Sequence, residues 1–76
     1  MEYGKALRTV LRESGISQAE LTRRLGLGSK TAYVSQLCNG KIKEPSFSKG
    51  LEIARALGVS IDRFAELMDD TAKDGQ

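Results

Sequence analysis

Ser17-Gln18-Ala19-Glu20-Leu21-Thr22-Arg23-Arg24-Leu25-Gly26, then Leu27-Gly28, then Ser29-Lys30-Thr31-Ala32-Tyr33-Val34-Ser35-Gln36-Leu37-Cys38-Asn39-Gly40, is the stretch that decides the fold of this 76-residue chain. Ser17 with Glu20 three residues on makes a capping box, in which each side chain can accept the other residue's free backbone N–H. Gly26 terminates the helix so begun, because glycine enters left-handed backbone without steric cost. In the second half Ser29 or Lys30 opens a helix, Val34, Leu37 and Cys38 form its apolar stripe at three- and four-residue spacing, and Asn39-Gly40 closes it. Two short helices joined by a turn make a helix-turn-helix. Thr31, Ala32, Ser35 and Gln36 lie off the apolar stripe of the second one, and such small and amide side chains can meet base edges in a major groove.

Outward from this centre, Tyr3, Leu7, Val10 and Leu11 share one face of a first helix over 2–14, with Glu2, Lys5, Arg8, Arg12 and Glu13 on the rest and Gly15 as its stop. Pro45, the only proline, disfavours helix at Glu44 and makes Lys41-Ile42-Lys43-Glu44-Pro45 a loop. Ser46 or Ser48 then caps a fourth helix over 47–57, where Phe47, Leu51, Ile53, Ala54 and Leu57 cover a wide arc that calls for neighbours on more than one side; Gly58 ends it. Ser60 caps a fifth, with Asp62 in its first turn and Ile61, Phe64, Ala65 and Met68 as its apolar outline. Beyond Met68 little can be buried, so residues 69–76 read as a flexible C-terminal tail. The expectation is an all-α, five-helix single domain over 1–68, without repeats or low-complexity segments.

Composition narrows the function. Twelve Lys and Arg against ten Asp and Glu give a net charge of +2, too slight by itself to demonstrate a polyanionic partner. With no histidine and Cys38 as the only cysteine, a disulfide framework, a Cys/His metal site and a Cys-His or Ser-His catalytic pair are excluded within one chain. That argues against an enzyme, and no cofactor or metal is implied. No apolar run is long enough for a membrane span and no signal-peptide core follows Met1, so the expected location is cytoplasmic. A core this small gains from a second subunit, which favours a homodimer.

Ser17-Gln18-Ala19-Glu20-Leu21, then Tyr33-Val34-Ser35-Gln36-Leu37-Cys38-Asn39-Gly40-Lys41, then Pro45, then Ala56-Leu57-Gly58-Val59-Ser60-Ile61-Asp62, in this order and spacing, resemble the Cro/C1-type (XRE family) helix-turn-helix domains of small phage repressors. The resemblance covers about residues 3 to 68. It implies a lambda-repressor-like fold with the helix-turn-helix at the second and third helices. It also implies sequence-specific binding of double-stranded DNA, usually by a homodimer on a palindromic operator, as a repressor or autoregulator. Two departures stand out: the 26–31 turn is about two residues longer than usual, and Leu11 and Cys38 occupy the places where the family often has an Arg–Glu pair.

Carried over residue by residue, Thr31, Ala32 and Gln36 resemble the base readers, with Ser35 beside them. Gln18 resembles the residue that approaches a phosphate at the start of the second helix. Lys30 stands in a first turn, where a cation opposes the helix dipole unless a phosphate lies close. Lys41 and Lys43 follow in a loop that in the family runs beside the DNA backbone, with the N–H groups of Asn39 and Gly40 expected free there. Arg23 reads either as a further phosphate contact or as the wet face of a short helix. Tyr33 reads as core edge, as a neighbour of a thymine methyl or as a backbone contact, and Cys38 as core. Ile61, Phe64 and Met68 carry both core and dimer roles in the fold implied. An alternative is the DNA-binding antitoxin of a toxin-antitoxin pair, which would also bind a toxin protein; an activating control protein is a variant of the first reading.

Overall fold

Leu7 and Val10 are at most 1% exposed, and Tyr3, Ala6 and Leu11 at most 6%, so the apolar face read along the first helix is the face that is buried. The computed structural model describes residues 3–28 and 32–74. Its helices are α1 (Tyr3–Ser14), α2 (Gln18–Arg24), α3 (Ala32–Cys38), α4 (Phe47–Leu57) and α5 (Ile61–Asp74), with no strand among the described residues. The all-α, five-helix, lambda-repressor-like expectation holds. α1 packs against α3, α4 and α5, while α2 packs against α3 and α4.

Local chemistry sets the helix ends. Ser17 Oγ accepts the N–H of Glu20 at 3.0 Å, and Ser46 Oγ accepts that of Lys49 at 3.3 Å, so Ser46 rather than Ser48 is the cap of α4. At the turn after α2, Gly26 has φ +69°, which lets its N–H reach Arg23 O and that of Leu27 reach Thr22 O. This paired closure satisfies carbonyls the helix would otherwise leave open. Ser60 Oγ accepts from Arg63 N at the start of α5, as the sequence indicates.

The core gathers Leu7, Val10, Leu21, Val34, Leu37 and Ile53 at its centre, with Leu57 and Phe64 around them. Truncating Leu7, Leu21, Leu37 or Ile53 to Ala costs about 2–5 kcal/mol, from lost transfer energy and the cavity left behind. The Tyr3 and Phe64 rings stack with centroids 5.2 Å apart and planes within 5°. Among the described residues Thr22 is the one buried polar residue, and its hydroxyl donates to Gln18 O at 2.9 Å. Leu11 and Cys38 are both buried in the core, so apolar packing occupies the places of the family's ion pair.

Two features depart from the sequence reading. α5 runs to Asp74, six residues past the Met68 boundary, because once a helix is nucleated each further residue adds a hydrogen bond at little cost and no Gly or Pro intervenes before Gly75. Phe47 is 79% exposed rather than covered. It is the first residue of α4, where side chains lean back toward the preceding loop. There it borders an apolar groove with Pro45, Ile61, Phe64, Ala65 and Met68.

Candidate nucleic-acid interface

On α3, Val34, Leu37 and Cys38 anchor the helix in the core, which turns the opposite stripe outward. Ala32, Ser35 and Asn39 are exposed and Gln36 half-buried, so a row of small and amide side chains at i, i+3, i+4 and i+7 faces away from the protein. Tyr33, half-buried against the core, stands at its edge, and desolvation raises its phenol pKa. Thr31 and Lys30, read as a base contact and a phosphate clamp, lie outside the described residues, as does Ser29.

The loop after α3 is drawn back against the helix it leaves. Asn39 N donates to Ser35 O at 2.9 Å, Gly40 N to Leu37 O at 3.4 Å, and Ile42 N to Gln36 O at 3.1 Å. Asn39 Oδ1 accepts from Lys41 N at 2.9 Å. The Asn39 and Gly40 N–H groups are therefore engaged in closing α3, which corrects the expectation that they are free: a helix end satisfies its own carbonyls first. Asn39 retains its side-chain Nδ2 as a donor. Lys41 and Lys43 are exposed on this loop.

At the start of α2, Gln18 is exposed one residue after the Ser17 cap. Only half of the expected capping box forms. Ser17 receives the Glu20 N–H, but the Glu20 carboxylate takes Arg23 Nε at 3.1 Å and Arg24 Nε at 2.9 Å. Hydrogen bonds from Arg23 and then Arg24 hold the Glu20 carboxyl down at about 2. Arg23 thus has a carboxylate partner while its side chain stays 74% exposed. Arg24 also donates through Nη1 to Ala56 O at 2.9 Å, fastening the end of α2 to the last turn of α4.

The sequence model of the helix-turn-helix family matches residues 6–64. The chain belongs to the Cro/C1-type helix-turn-helix family. No solved structure matches it. As a member of this family the protein is a DNA-binding transcriptional regulator and not an enzyme. No helix among the described residues is long and apolar enough to cross a membrane.

Of the interface residues taken from the sequence, Ala32, Ser35, Gln36 and Asn39 share one face of α3, with Lys41 and Lys43 in the loop that follows. Arg23 and Gln18 are both exposed on α2. Among the apolar candidates, Phe64 is 2% exposed and gives its area to the core, Met68 is half-buried, and Ile61 is 39% exposed. The sequence analysis gives no interface role to Phe47, which stands beside Ile61 on the same groove, or to Arg8 and Arg12, which line a second groove with Ser17 and Gln18. The first residue of a helix following a proline loop was the available signal for Phe47; the i, i+4 spacing was the signal for the two arginines.

Proposed function

We propose that this helix-turn-helix protein is a transcriptional repressor or autoregulator that binds a palindromic operator as a homodimer. The observation that carries the reading is the outward row Ala32, Ser35, Gln36 and Asn39 on a helix pinned from behind by Val34, Leu37 and Cys38. Laid in a major groove, that row brings the Gln36 amide to adenine N6 and N7, a bidentate pair worth about 1–3 kcal/mol of discrimination, and the Ala32 methyl to a thymine methyl. Thr31 joins this set as a base contact, and Ser35 lies next to Gln36. Gln18, Arg23, Lys30, Asn39, Lys41 and Lys43 set the register on phosphates, which fix orientation without reading sequence.

Dimerisation through the groove that holds Phe47, Ile61 and Met68 supports the palindrome. A two-fold contact offers the same patch from both subunits, so each Phe47 enters the groove of its partner. Phe47 directly follows the 41–46 loop, so the contact lies next to the DNA-facing surface, as half-sites about 34 Å apart require. Repression then follows from occlusion of a promoter. Selection of duplexes from a random pool tests this: enrichment of an inverted repeat with half-sites one helical turn apart is the expected result. A pool with no enrichment would sink it. A second polypeptide that co-purifies and releases DNA would move the reading to an antitoxin.

A further inference from the structure

Lys5, Arg8 and Arg12 form a row of exposed cations on α1. One turn before Arg8, Gly4 rests against the Leu37 and Cys38 carbonyls, and the Arg8 charge is close enough to act on the Cys38 thiol. The row therefore begins beside the end of α3. Its other end reaches α2: Arg8 and Arg12 line an open groove with Leu11, Ser17 and Gln18. No carboxylate borders that groove, and the nearest one along the helix, Glu13, is held by Arg63 through contacts of 2.8 and 3.0 Å. Arg23, Arg24, Lys49 and Arg63 each have a carboxylate partner, whereas no ion pair or hydrogen bond holds the Arg8 or Arg12 side chain among the described residues.

We propose that Arg8 and Arg12 bind successive phosphates of one DNA strand, making a track that runs from Gln18 across α1 to the 39–43 loop. This rests on the DNA-binding reading and adds α1 to the interface. Guanidinium groups four residues apart on a helix stand about 5–6 Å apart at Cβ. Their planar forks match phosphate oxygens in pairs. Because neither guanidinium must leave a carboxylate to make the contact, each phosphate it binds releases counterion at no cost in broken ion pairs.

The test is fluorescence anisotropy of the intact protein on a random-sequence 20-bp duplex and on a duplex selected from the pool, over a range of salt. The double variant R8Q/R12Q is expected to weaken both duplexes by the same factor, roughly tenfold or more, and to lower the slope of log affinity against log salt by about 2. R8K/R12K should keep the wild-type slope, because it keeps the charges. R55Q, which removes one exposed cation from α4, should change the slope little. Wild-type slope and affinity in a folded R8Q/R12Q, or a slope lost in R8K/R12K, would overturn the proposal while leaving DNA binding intact. A loss in R55Q as large as in R8Q/R12Q would overturn it too, since net charge alone would then explain the effect. Failure of the wild type to bind either duplex would overturn the DNA-binding reading as well.

Discussion

Gly4 in the first turn of α1 lies against Cys38 at the end of α3, so closely that a Cβ on Gly4 would stand 2.9 Å from the Cys38 carbonyl oxygen and nearer still to that of Leu37. Two backbones touch here, and the contact sets how α3 is presented. In an exposed helix, Gly→Ala stabilises by about 1 kcal/mol. At this position overpacking of about 1–3 kcal/mol opposes that gain, and since the clashing atoms are backbone they cannot turn aside. Gly4→Ala is expected to lower stability by up to about 2 kcal/mol in urea unfolding and to weaken operator binding. An alanine variant more stable than the parent would show that α1 and α3 do not meet this closely.

Glu20 titrates well below its usual range of about 4.5 because Arg23 and Arg24 hydrogen-bond its charged form. A carboxyl whose pKa is lowered in the folded state binds its proton more readily when unfolded. Its stabilisation is therefore present above pH 4.5 and lost as the pH falls from there toward 2. The unfolding midpoint of wild type should drop more steeply over this interval than that of Glu20→Gln. The difference should shrink in high salt, since the pair is exposed. Parallel pH profiles would mean that the three side chains do not form this network in solution.

Gln36→Ala should weaken binding to a selected operator by about 1–3 kcal/mol and leave random DNA unchanged, relaxing preference at one base pair of each half-site. Lys43→Ala should weaken every duplex alike and lower the salt slope by about 1. Competition titrations against both kinds of duplex separate the two patterns, and an equal loss on both for Gln36→Ala rules out base reading.

Phe47 is exposed at the first position of α4, where a negative charge favours the helix. Phe47→Asp should thus leave the monomer's stability unchanged or slightly raised. It should shift sedimentation equilibrium from dimer to monomer and weaken binding to a full palindrome more than to a half-site. A Phe47→Asp protein that sediments as the parent does would place the subunit contact elsewhere.

Much of this arrangement is written locally in the chain. Ser17, Ser46 and Ser60 are caps, and Gly15, Gly26, Gly40 and Gly58 are stops, because the bonds that open and close a helix connect residues fewer than seven apart. The α3 stripe is legible for the same reason: Val34, Leu37 and Cys38 show by spacing alone which face is inward, and Ala32, Ser35 and Gln36 are what remains once Tyr33 is set at its edge.

What lies over a given side chain was decided only by the packing of distant elements. Phe47 and Phe64 are equally apolar in sequence, yet one is 79% exposed and the other 2%, because Tyr3 of α1 covers Phe64 and nothing among the described residues covers Phe47 to that degree. Arg23 and Arg12 are equally cationic, yet Glu20 holds the first while the second faces a groove without a carboxylate. Periodicity reports which residues share a helix face; solvation and charge pairing depend on what the fold brings against that face, and for Arg63 and Glu13 that partner comes from 50 residues away.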